Sequence, residues 1–225
     1  SGTKKQIIVI GGGAAGLMAA IAAARQGAEV MVLERLSRVG KKLLATGNGR
    51  CNYTNTQLDI SRYHGNNPDF ASPVLQRFGT DQTILFFSRL GIVPMIEQKG
   101  KVFPRSAQAG SILDVLRYEL DCLGGDVICD EEVTQIDVMG KGFALSTRSG
   151  RRFSSQSVII TTGGKASPNL GSNGSGYILA QNLGHSLIPP FPALVQLKLK
   201  ASFLKQLAGI KVEGTAEILE EDRSV

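Results

Sequence analysis

Residues 6–34 have the sequence QIIVIGGGAAGLMAAIAAARQGAEVMVLE. The run Ile7–Ile10 is apolar and β-branched at every position, which is typical of a buried parallel strand. The Ala-rich segment Leu17–Arg25 has high helix propensity and stops before Gly27, and Glu29–Leu33 has the composition of a second strand. The segment therefore predicts a complete βαβ unit, and with it an α/β protein that contains a Rossmann-like domain.

The glycines between the first strand and the helix have the spacing of a dinucleotide-binding fingerprint. Gly11 permits a tight turn, Gly13 lets the backbone approach a pyrophosphate, and Gly16 allows the helix to pack closely on the strand. Glu34 ends the second strand, where its carboxylate would accept hydrogen bonds from ribose hydroxyls and repel a 2′-phosphate. These residues predict a dinucleotide site that disfavours NADP, and they do not distinguish NAD from FAD.

Composition excludes several other classes of protein. The chain has 225 residues, 42% of them hydrophobic and 20% charged, which is typical of a folded globular protein. No apolar run is long enough for a membrane span or a signal peptide, so the sequence predicts a cytoplasmic protein without membrane association. Its three cysteines form no CxxC motif and have no histidine partners at ligand spacing, so we expect no metal site and no disulfide. The net charge of +6 comes from scattered residues, which favours a polyanionic small molecule over nucleic acid.

A second glycine-rich segment, residues 40–55, has the sequence GKKLLATGNGRCNYTN. It is too polar and too rich in glycine for regular structure, and we interpret it as an ordered functional loop. Lys41, Lys42 and Arg50 would neutralise a pyrophosphate there, the alternative being a solvated basic loop. The neighbouring cation would make Cys51 a reactive thiolate, but without a resolving cysteine a packing role is favoured.

The rest of the chain predicts further elements around this unit. Helices are expected from Thr80 to Leu90, from Ser106 to Leu123 and from Tyr177 to Leu183. Short segments of period two predict a β-meander made of Val127–Cys129, Val133–Val138, Phe143–Thr147 and Arg152–Phe153. An apolar strand, residues 158–161, precedes the turn Thr162-Gly163-Gly164.

Prolines near residue 190 suggest a domain boundary. We therefore predict one domain over residues 4–190 and the start of a second, β-rich domain over residues 191–225. In the second domain the runs 194–199 and 212–219 have the pattern of strands. Its 35 residues are too few to close a core, so the chain is expected to be truncated.

The two glycine-rich segments together resemble the aminoacetone-oxidase-type, or bile-acid-reductase-like, family of bacterial FAD-binding flavoproteins, which belongs with the glutathione-reductase-like FAD enzymes. The resemblance continues through Val102-Phe103-Pro104, residues 162–168, residues 171–177 and Pro192-Ala193-Leu194-Val195. It implies a glutathione-reductase-type FAD-binding domain with an inserted β-rich domain in a protein of about 400 residues. It also implies that a C-terminal segment, absent here, returns to help enclose the flavin.

FAD is the cofactor that this resemblance implies. Together with the fingerprint, it gives the following expected cofactor-binding residues: Gly11, Gly13, Ala14, Ala15, Gly16, Glu34, Arg35, Lys41, Lys42, Thr46, Gly47, Gly49, Arg50, Cys51, Asn52, Val133, Thr162, Gly163 and Gly164. Val133 is expected to contact the adenine through its backbone. The sequence singles out no catalytic residue, although Tyr53 and Arg105 are candidates for contact with flavin or substrate.

The function that these features predict is an FAD-dependent oxidoreductase. It would transfer hydride between flavin N5 and a small organic substrate, by amine oxidation or by reduction of an activated double bond. Because no second Rossmann unit is evident, the co-substrate is left open between NAD(P)H and O₂. The alternatives are a non-catalytic flavin-binding module and a relative of FAD-dependent RNA-modifying enzymes.

Overall fold

The computed structural model describes residues 6–194 and, beyond them, residues 202–207, 209–210, 215, 217, 219–220 and 223–224. Its contacts divide the chain into two compact units, Ser1–Ile188 and Pro189–Val225. In the second unit, Leu219–Glu220 pairs with Arg223–Ser224 as an antiparallel ladder. Most of the strands predicted at 194–199 and 212–219 lie outside the described residues.

The described elements have the following bounds. The helices are α1 (Ala14–Arg25), α2 (Lys41–Ala45), α3 (Ser72–Arg77), α4 (Thr80–Arg89), α5 (Ala109–Cys122) and α6 (Ser175–Asn182). The strands are β1 (Gln6–Ile10), β2 (Glu29–Leu33), β3 (Thr54–Asn55), β4 (Pro94–Ile96), β5 (Lys101–Pro104), β6 (Asp126–Ile128), β7 (Val133–Met139), β8 (Gly142–Thr147), β9 (Arg152–Ser155), β10 (Ser157–Ile160), β11 (Leu219–Glu220) and β12 (Arg223–Ser224). Short 3₁₀ turns connect several of them, including Thr46–Gly49 and Pro168–Leu170.

A four-stranded parallel sheet in the order β10-β1-β2-β6 forms the centre of the first unit. Alternate residues of β1 point to opposite faces, and both faces are buried: Val9 packs in one core cluster, Ile8 and Ile10 in another. The prediction of a buried parallel strand and a Rossmann-type α/β fold is therefore confirmed.

Different elements cover the two faces of this sheet. Leu17 of α1 and Ile112 and Leu116 of α5 pack with Val9 on what we call the helical face. Leu145 of β8 and Leu179 of α6 pack with Ile8 and Leu33 on the other, the meander face. The sheet is therefore enclosed between two apolar layers.

The predicted meander is smaller than expected. Strands β7, β8 and β9 form an antiparallel sheet, as predicted. The first predicted strand, Val127–Cys129, was assigned to it wrongly: β6 pairs in parallel with β2, with Val127 opposite Val32. A strand of three residues is too short for its periodicity to indicate which sheet it joins.

The loop predicted at residues 40–55 also contains regular structure. Residues Lys41–Ala45 form α2, and Thr54–Asn55 pairs with β5, so the prediction of an irregular segment was wrong in these parts. Leu43 of α2 is buried in the core cluster of the helical face. Helix α3 was not predicted at all, while α1, α4, α5 and α6 begin and end within about three residues of their predicted bounds.

Candidate functional site

The glycine turn after β1 is held by the neighbouring strand β10. Gly11 has φ +104°, and its N–H donates to the Leu33 carbonyl at 2.8 Å. A Cβ at Gly11 would lie 2.8 Å from the Thr161 carbonyl oxygen, and the Thr161 hydroxyl lies 2.9 Å from the carbonyl oxygens of both Ile10 and Gly11. The turn therefore requires glycine at this position for both its backbone conformation and its space.

The other two fingerprint glycines have opposite surroundings. A Cβ at Gly16 would overlap the Gly11 carbonyl oxygen, so this glycine lets α1 approach β1. A Cβ at Gly13 would meet no protein atom within 4 Å, although Gly13 is the N-cap of α1. The space beside Gly13 is open to the cavity, next to the unpaired N–H groups and positive partial charge of a helix N-terminus.

Glu34 is buried at the end of β2, and both of its carboxylate oxygens accept backbone hydrogen bonds. Oε2 accepts from the Gly12 N–H at 2.7 Å, and Oε1 accepts from the Leu36 N–H at 2.8 Å. The carboxylate thus connects the glycine turn to the segment after β2. Because each oxygen has a second lone pair, it can still accept a hydrogen bond from a ribose hydroxyl.

Replacing Glu34 tests both roles. We expect Glu34→Ala to lower the free energy of unfolding by about 1–3 kcal/mol, because two buried N–H groups lose their acceptor, and to weaken FAD binding by a similar amount. Urea unfolding and FAD titration measure the two effects. Glu29→Ala is the matched control, since Glu29 lies exposed on β2 and its carboxylate accepts a hydrogen bond from the exposed Gln6 side chain. A Glu34→Ala protein with unchanged stability and FAD affinity would contradict both roles.

A cavity of about 550 Å³ extends along the carboxyl edge of the sheet. Its lining includes Phe87 and Ile112 from the helical face, and Leu33 and Val133 from the meander face. The cavity therefore crosses the edge from one face to the other, past the glycine turn. This is the position at which open α/β sheets bind ligands.

Most of the predicted site residues meet in this cavity. Those that line it are Gly11, Gly13, Ala14, Ala15, Glu34, Arg35, Lys41, Lys42, Thr46, Cys51, Asn52, Val133, Thr162 and Gly163. Those outside the lining are Gly16, Gly47, Gly49, Arg50 and Gly164. Arg105, a candidate for contact with flavin or substrate, is not part of the lining either, whereas Tyr53 is.

Two cationic side chains of the lining donate hydrogen bonds to backbone carbonyls of distant segments. The Lys42 ammonium donates to the Ala166 carbonyl at 2.6 Å, and the Arg35 guanidinium donates to the Gly171 carbonyl at 3.1 Å. Arg35 Nε is buried and has no hydrogen-bond partner among the described residues. Arg35 thus keeps an unused buried donor in a residue of the cavity wall, which is the kind of group that an anionic or polar ligand satisfies.

Arg50 differs from the other predicted cations because its charge is engaged outside the cavity. Its guanidinium contacts the Glu97 carboxylate at 2.7 and 3.4 Å and lies 4.1 Å above the Phe103 ring. These contacts attach the loop 46–52 to the β4–β5 hairpin. The structure therefore favours an anchoring role over the predicted contact with pyrophosphate.

Exchanging the charges of Arg50 and Glu97 would distinguish the anchoring role of Arg50 from contact with the pyrophosphate. Arg50→Glu should lower the free energy of unfolding by about 1 kcal/mol and weaken FAD binding, because two carboxylates then face each other beside Phe103. In the double variant Arg50→Glu/Glu97→Arg, anchoring predicts that stability and FAD affinity recover in part. If Arg50 instead contacts the pyrophosphate, the exchange leaves FAD binding impaired.

Cys51 lies in the cavity wall but is buried and packed in the core cluster of the helical face. Burial raises the pKa of its thiol, against a smaller lowering by a hydrogen bond with Thr46. The thiol is therefore protonated at neutral pH, which agrees with the packing interpretation.

Sequence reasoning missed several lining residues. Among them are Met18, Arg38, Phe78, Thr83, Phe87, Glu131, Glu132, Ser172 and Ser175. Phe78, which directly follows α3, and Phe87 of α4 reach the cavity from segments far from either glycine motif along the chain. No local pattern marks them, because their position depends on how these helices pack.

Glu131 supports the cavity wall on the meander face. Its carboxylate accepts from the Ser149 hydroxyl at 2.8 Å and from the Arg151 guanidinium at 3.0 Å. The Ser149 hydroxyl first, then the hydroxyl of Thr147 and the charge of Arg151, lower the pKa of Glu131 below its ordinary value. The ionised form is therefore the one that the folded protein stabilises.

The lowered pKa of Glu131 predicts a pH-dependent contribution to stability. A carboxyl whose pKa is lower in the folded state stabilises the fold above its unfolded pKa and loses this effect as the pH falls through the folded pKa. Wild type should therefore melt at a higher temperature than Glu131→Gln at pH 7, and the difference should shrink below about pH 4. Thermal melts across this range measure it, and a difference that does not depend on pH would contradict the assignment.

Most of the chain matches a known family. The model of the HI0933-like protein Rossmann domain matches residues 5–218. The chain belongs to the HI0933-like family. The resemblance found in the sequence is thereby confirmed for the HI0933-like family, and FAD is its cofactor. The narrower assignment to the aminoacetone-oxidase-type subfamily stays a prediction.

Relatives of this HI0933-like chain include two kinds of enzyme. It is 45% identical over 216 residues to the 3-dehydro-bile acid delta(4,6)-reductase of Clostridium scindens, covering 95% of this chain and 52% of that protein. It is 31% identical to the ribosomal RNA dihydrouridine synthase of Haemophilus influenzae, covering 94% and 54%. The chain thus spans about half the length of the curated relatives it matches.

A solved structure shows the same fold. The open conformation of a flavocytochrome c3 fumarate reductase aligns with a TM-score of 0.55 at 19% identity, covering 81% of this chain and 41% of that one.

In the described part of the chain, no helix is long and apolar enough to cross a membrane, and no cluster of His, Cys, Asp and Glu could hold a metal ion.

The site fits FAD on the evidence of its own residues. The open space at Gly13 lies at the N-terminus of α1, where a pyrophosphate is favoured. Arg35 offers a buried donor without a partner among the described residues, and Glu34 can accept from a ribose. The cavity continues to both faces of the sheet, so a ligand with a ring system on each side of a pyrophosphate can lie across the edge.

Proposed function

We propose that the protein containing this chain is an FAD-dependent oxidoreductase that reduces a carbon–carbon double bond conjugated to a carbonyl group. The observation that supports this most is what the two kinds of relative share. A bile acid delta(4,6)-reductase and a dihydrouridine synthase both have names that describe saturation of such a bond. The greater identity to the first favours a small organic substrate over RNA.

The described residues would contribute binding and orientation. Gly13 and the N-terminus of α1 would hold the pyrophosphate, Glu34 the ribose, and Lys41 and Lys42 would balance the negative charge of the phosphates. When bound, FAD supplies hydride transfer at N5.

The test uses the full-length protein with its flavin reduced anaerobically. We expect a conjugated steroid ketone to reoxidise the flavin and the corresponding saturated ketone to leave it reduced, as followed by flavin absorbance. Trials of NADH and NADPH as reductants then identify the electron donor. Failure of every conjugated ketone to reoxidise the flavin, combined with oxidation of amines, would overturn the proposal in favour of amine oxidation.

Ribosomal RNA is the second candidate substrate, supported by the relative of Haemophilus influenzae. It predicts that dihydrouridine disappears from the ribosomal RNA of a strain that lacks this protein, and that binding to RNA weakens steeply with salt. Mass spectrometry of the RNA measures the first effect. Loss of dihydrouridine in that strain would favour this candidate over a small ketone.

A further inference from the structure

Three aromatic residues, Tyr53, Phe78 and Phe87, line the cavity where it enters the helical face; we call them the aromatic wall. The Tyr53 and Phe87 ring centroids are 5.0 Å apart. Phe86, behind the wall, contacts Phe87 at 5.2 Å and Phe78 at 6.2 Å, both edge to face. In a chain whose aromatic content is only 6%, this is a connected group at one end of one cavity.

The aromatic wall is held rigidly from behind. The Arg25 guanidinium lies 5.0 Å from the centroid of the Phe86 ring, and it also bonds Glu119 of α5. Phe87 is fully packed in the core cluster of the helical face. Phe78, by contrast, keeps 41% of its surface exposed although it lies in a cavity wall. An exposed aromatic ring with a rigid support is suited to contact a bound ring.

The other end of the cavity, beside Glu34, is where the Rossmann fold would place the adenosine half of a dinucleotide. The acidic residue after the second strand of a Rossmann unit binds the adenosine ribose. Here that residue is Glu34, and the Glu131 N–H donates to the Glu34 carbonyl at 2.9 Å. The adenosine ribose would therefore lie beside residues 131–133, on the meander side. The second ring system of the ligand must lie across the glycine turn, on the side of the aromatic wall.

We propose that the aromatic wall binds the isoalloxazine ring of FAD, with Phe78 as the contact that the ring covers. This inference rests on FAD as the cofactor and adds the residues that distinguish its flavin half from its adenosine half. The Tyr53 hydroxyl is buried without a hydrogen-bond partner among the described residues, so Tyr53 adds a polar group to the wall as well as its ring.

The experiment compares FAD with ADP, which contains the adenosine diphosphate half alone. In the full-length protein, Phe78→Ala should weaken FAD binding about tenfold, the size of one aromatic stacking contact, and leave ADP binding unchanged. Phe78→Leu should bind FAD with an affinity between those of wild type and Phe78→Ala. Phe70→Ala is the matched control, since Phe70 is 80% exposed and lies outside the lining.

The possible results of this experiment distinguish an error in the position of the flavin ring from an error in the identity of the cofactor. If wild type binds FAD and ADP but Phe78→Ala keeps its FAD affinity, the aromatic wall does not contact the flavin and the inference is wrong. An equal loss of FAD and ADP binding would also overturn it, because the effect would then be a general distortion. If binding of a conjugated steroid ketone depends on Phe78 and binding of FAD does not, the aromatic wall binds the substrate and the inference is wrong. Wild type that binds ADP but not FAD would refute the cofactor itself.

Discussion

Gly13→Val is expected to abolish FAD binding while the protein stays folded. The valine side chain would project into space that holds no protein atom within 4 Å of its Cβ, and the Gly13 backbone, with φ −79°, suits any residue. The same space is the approach to the N-terminus of α1, so two methyl groups there exclude the pyrophosphate. Circular dichroism and thermal melts should resemble those of wild type, and FAD titration should show a loss of at least a hundredfold, or about 3 kcal/mol.

Gly110→Val is the matched control for this substitution. A Cβ at Gly110 also meets no atom within 4 Å, but this residue lies in the first turn of α5 and outside the cavity lining. Its substitution should leave FAD affinity unchanged. If Gly13→Val were purified with stoichiometric FAD, the pyrophosphate could not lie at the N-terminus of α1, and the assignment of the cavity would fail.

The first strand, the glycine turn and α1 could be predicted because their signals are local. Four consecutive β-branched residues need two apolar layers, and Gly16 is required by its close approach to the Gly11 carbonyl within the same βαβ unit. The structure confirms the expected fold at this level. For the same reason Glu34 could be proposed from its position at the end of β2, since that end must lie beside the glycine turn in a parallel pair.

Other features depend on contacts that no local pattern encodes. Gly40, with φ +74°, is the N-cap of α2, and a Cβ there would overlap Leu113 of α5, so the start of this helix is fixed by packing against a distant element. Arg50 has the charge and the motif of a phosphate contact. Once the β4–β5 hairpin has formed, however, its guanidinium pairs with Glu97 and lies over the Phe103 ring. Phe78 becomes part of the cavity in the same way, through the packing of α3 and α4.

Gly16→Ala is expected to lower stability more than the addition of one methyl group at any other position of the site. The new Cβ would overlap the Gly11 carbonyl oxygen and lie 2.8 Å from the Thr161 hydroxyl oxygen. The first of these is a backbone atom, so no change of side-chain conformation relieves the overlap, and α1 would have to move away from β1. We expect the free energy of unfolding to fall by about 3 kcal/mol or more, at the upper end of the cost of overpacking.

The loss of stability in Gly16→Ala should be present without FAD, whereas Gly13→Val should change FAD binding and leave stability unchanged. Urea unfolding of the FAD-free proteins measures it, with Gly110→Ala as the control that adds the same methyl group to a helix. That control should be neutral or slightly stabilising, by up to about 1 kcal/mol, because alanine replaces glycine where space is free. Excess FAD should restore part of the stability of Gly16→Ala, because a ligand that binds only the folded state shifts the equilibrium towards it. A Gly16→Ala protein as stable as wild type would show that α1 and β1 are not in the close contact on which the whole cavity depends.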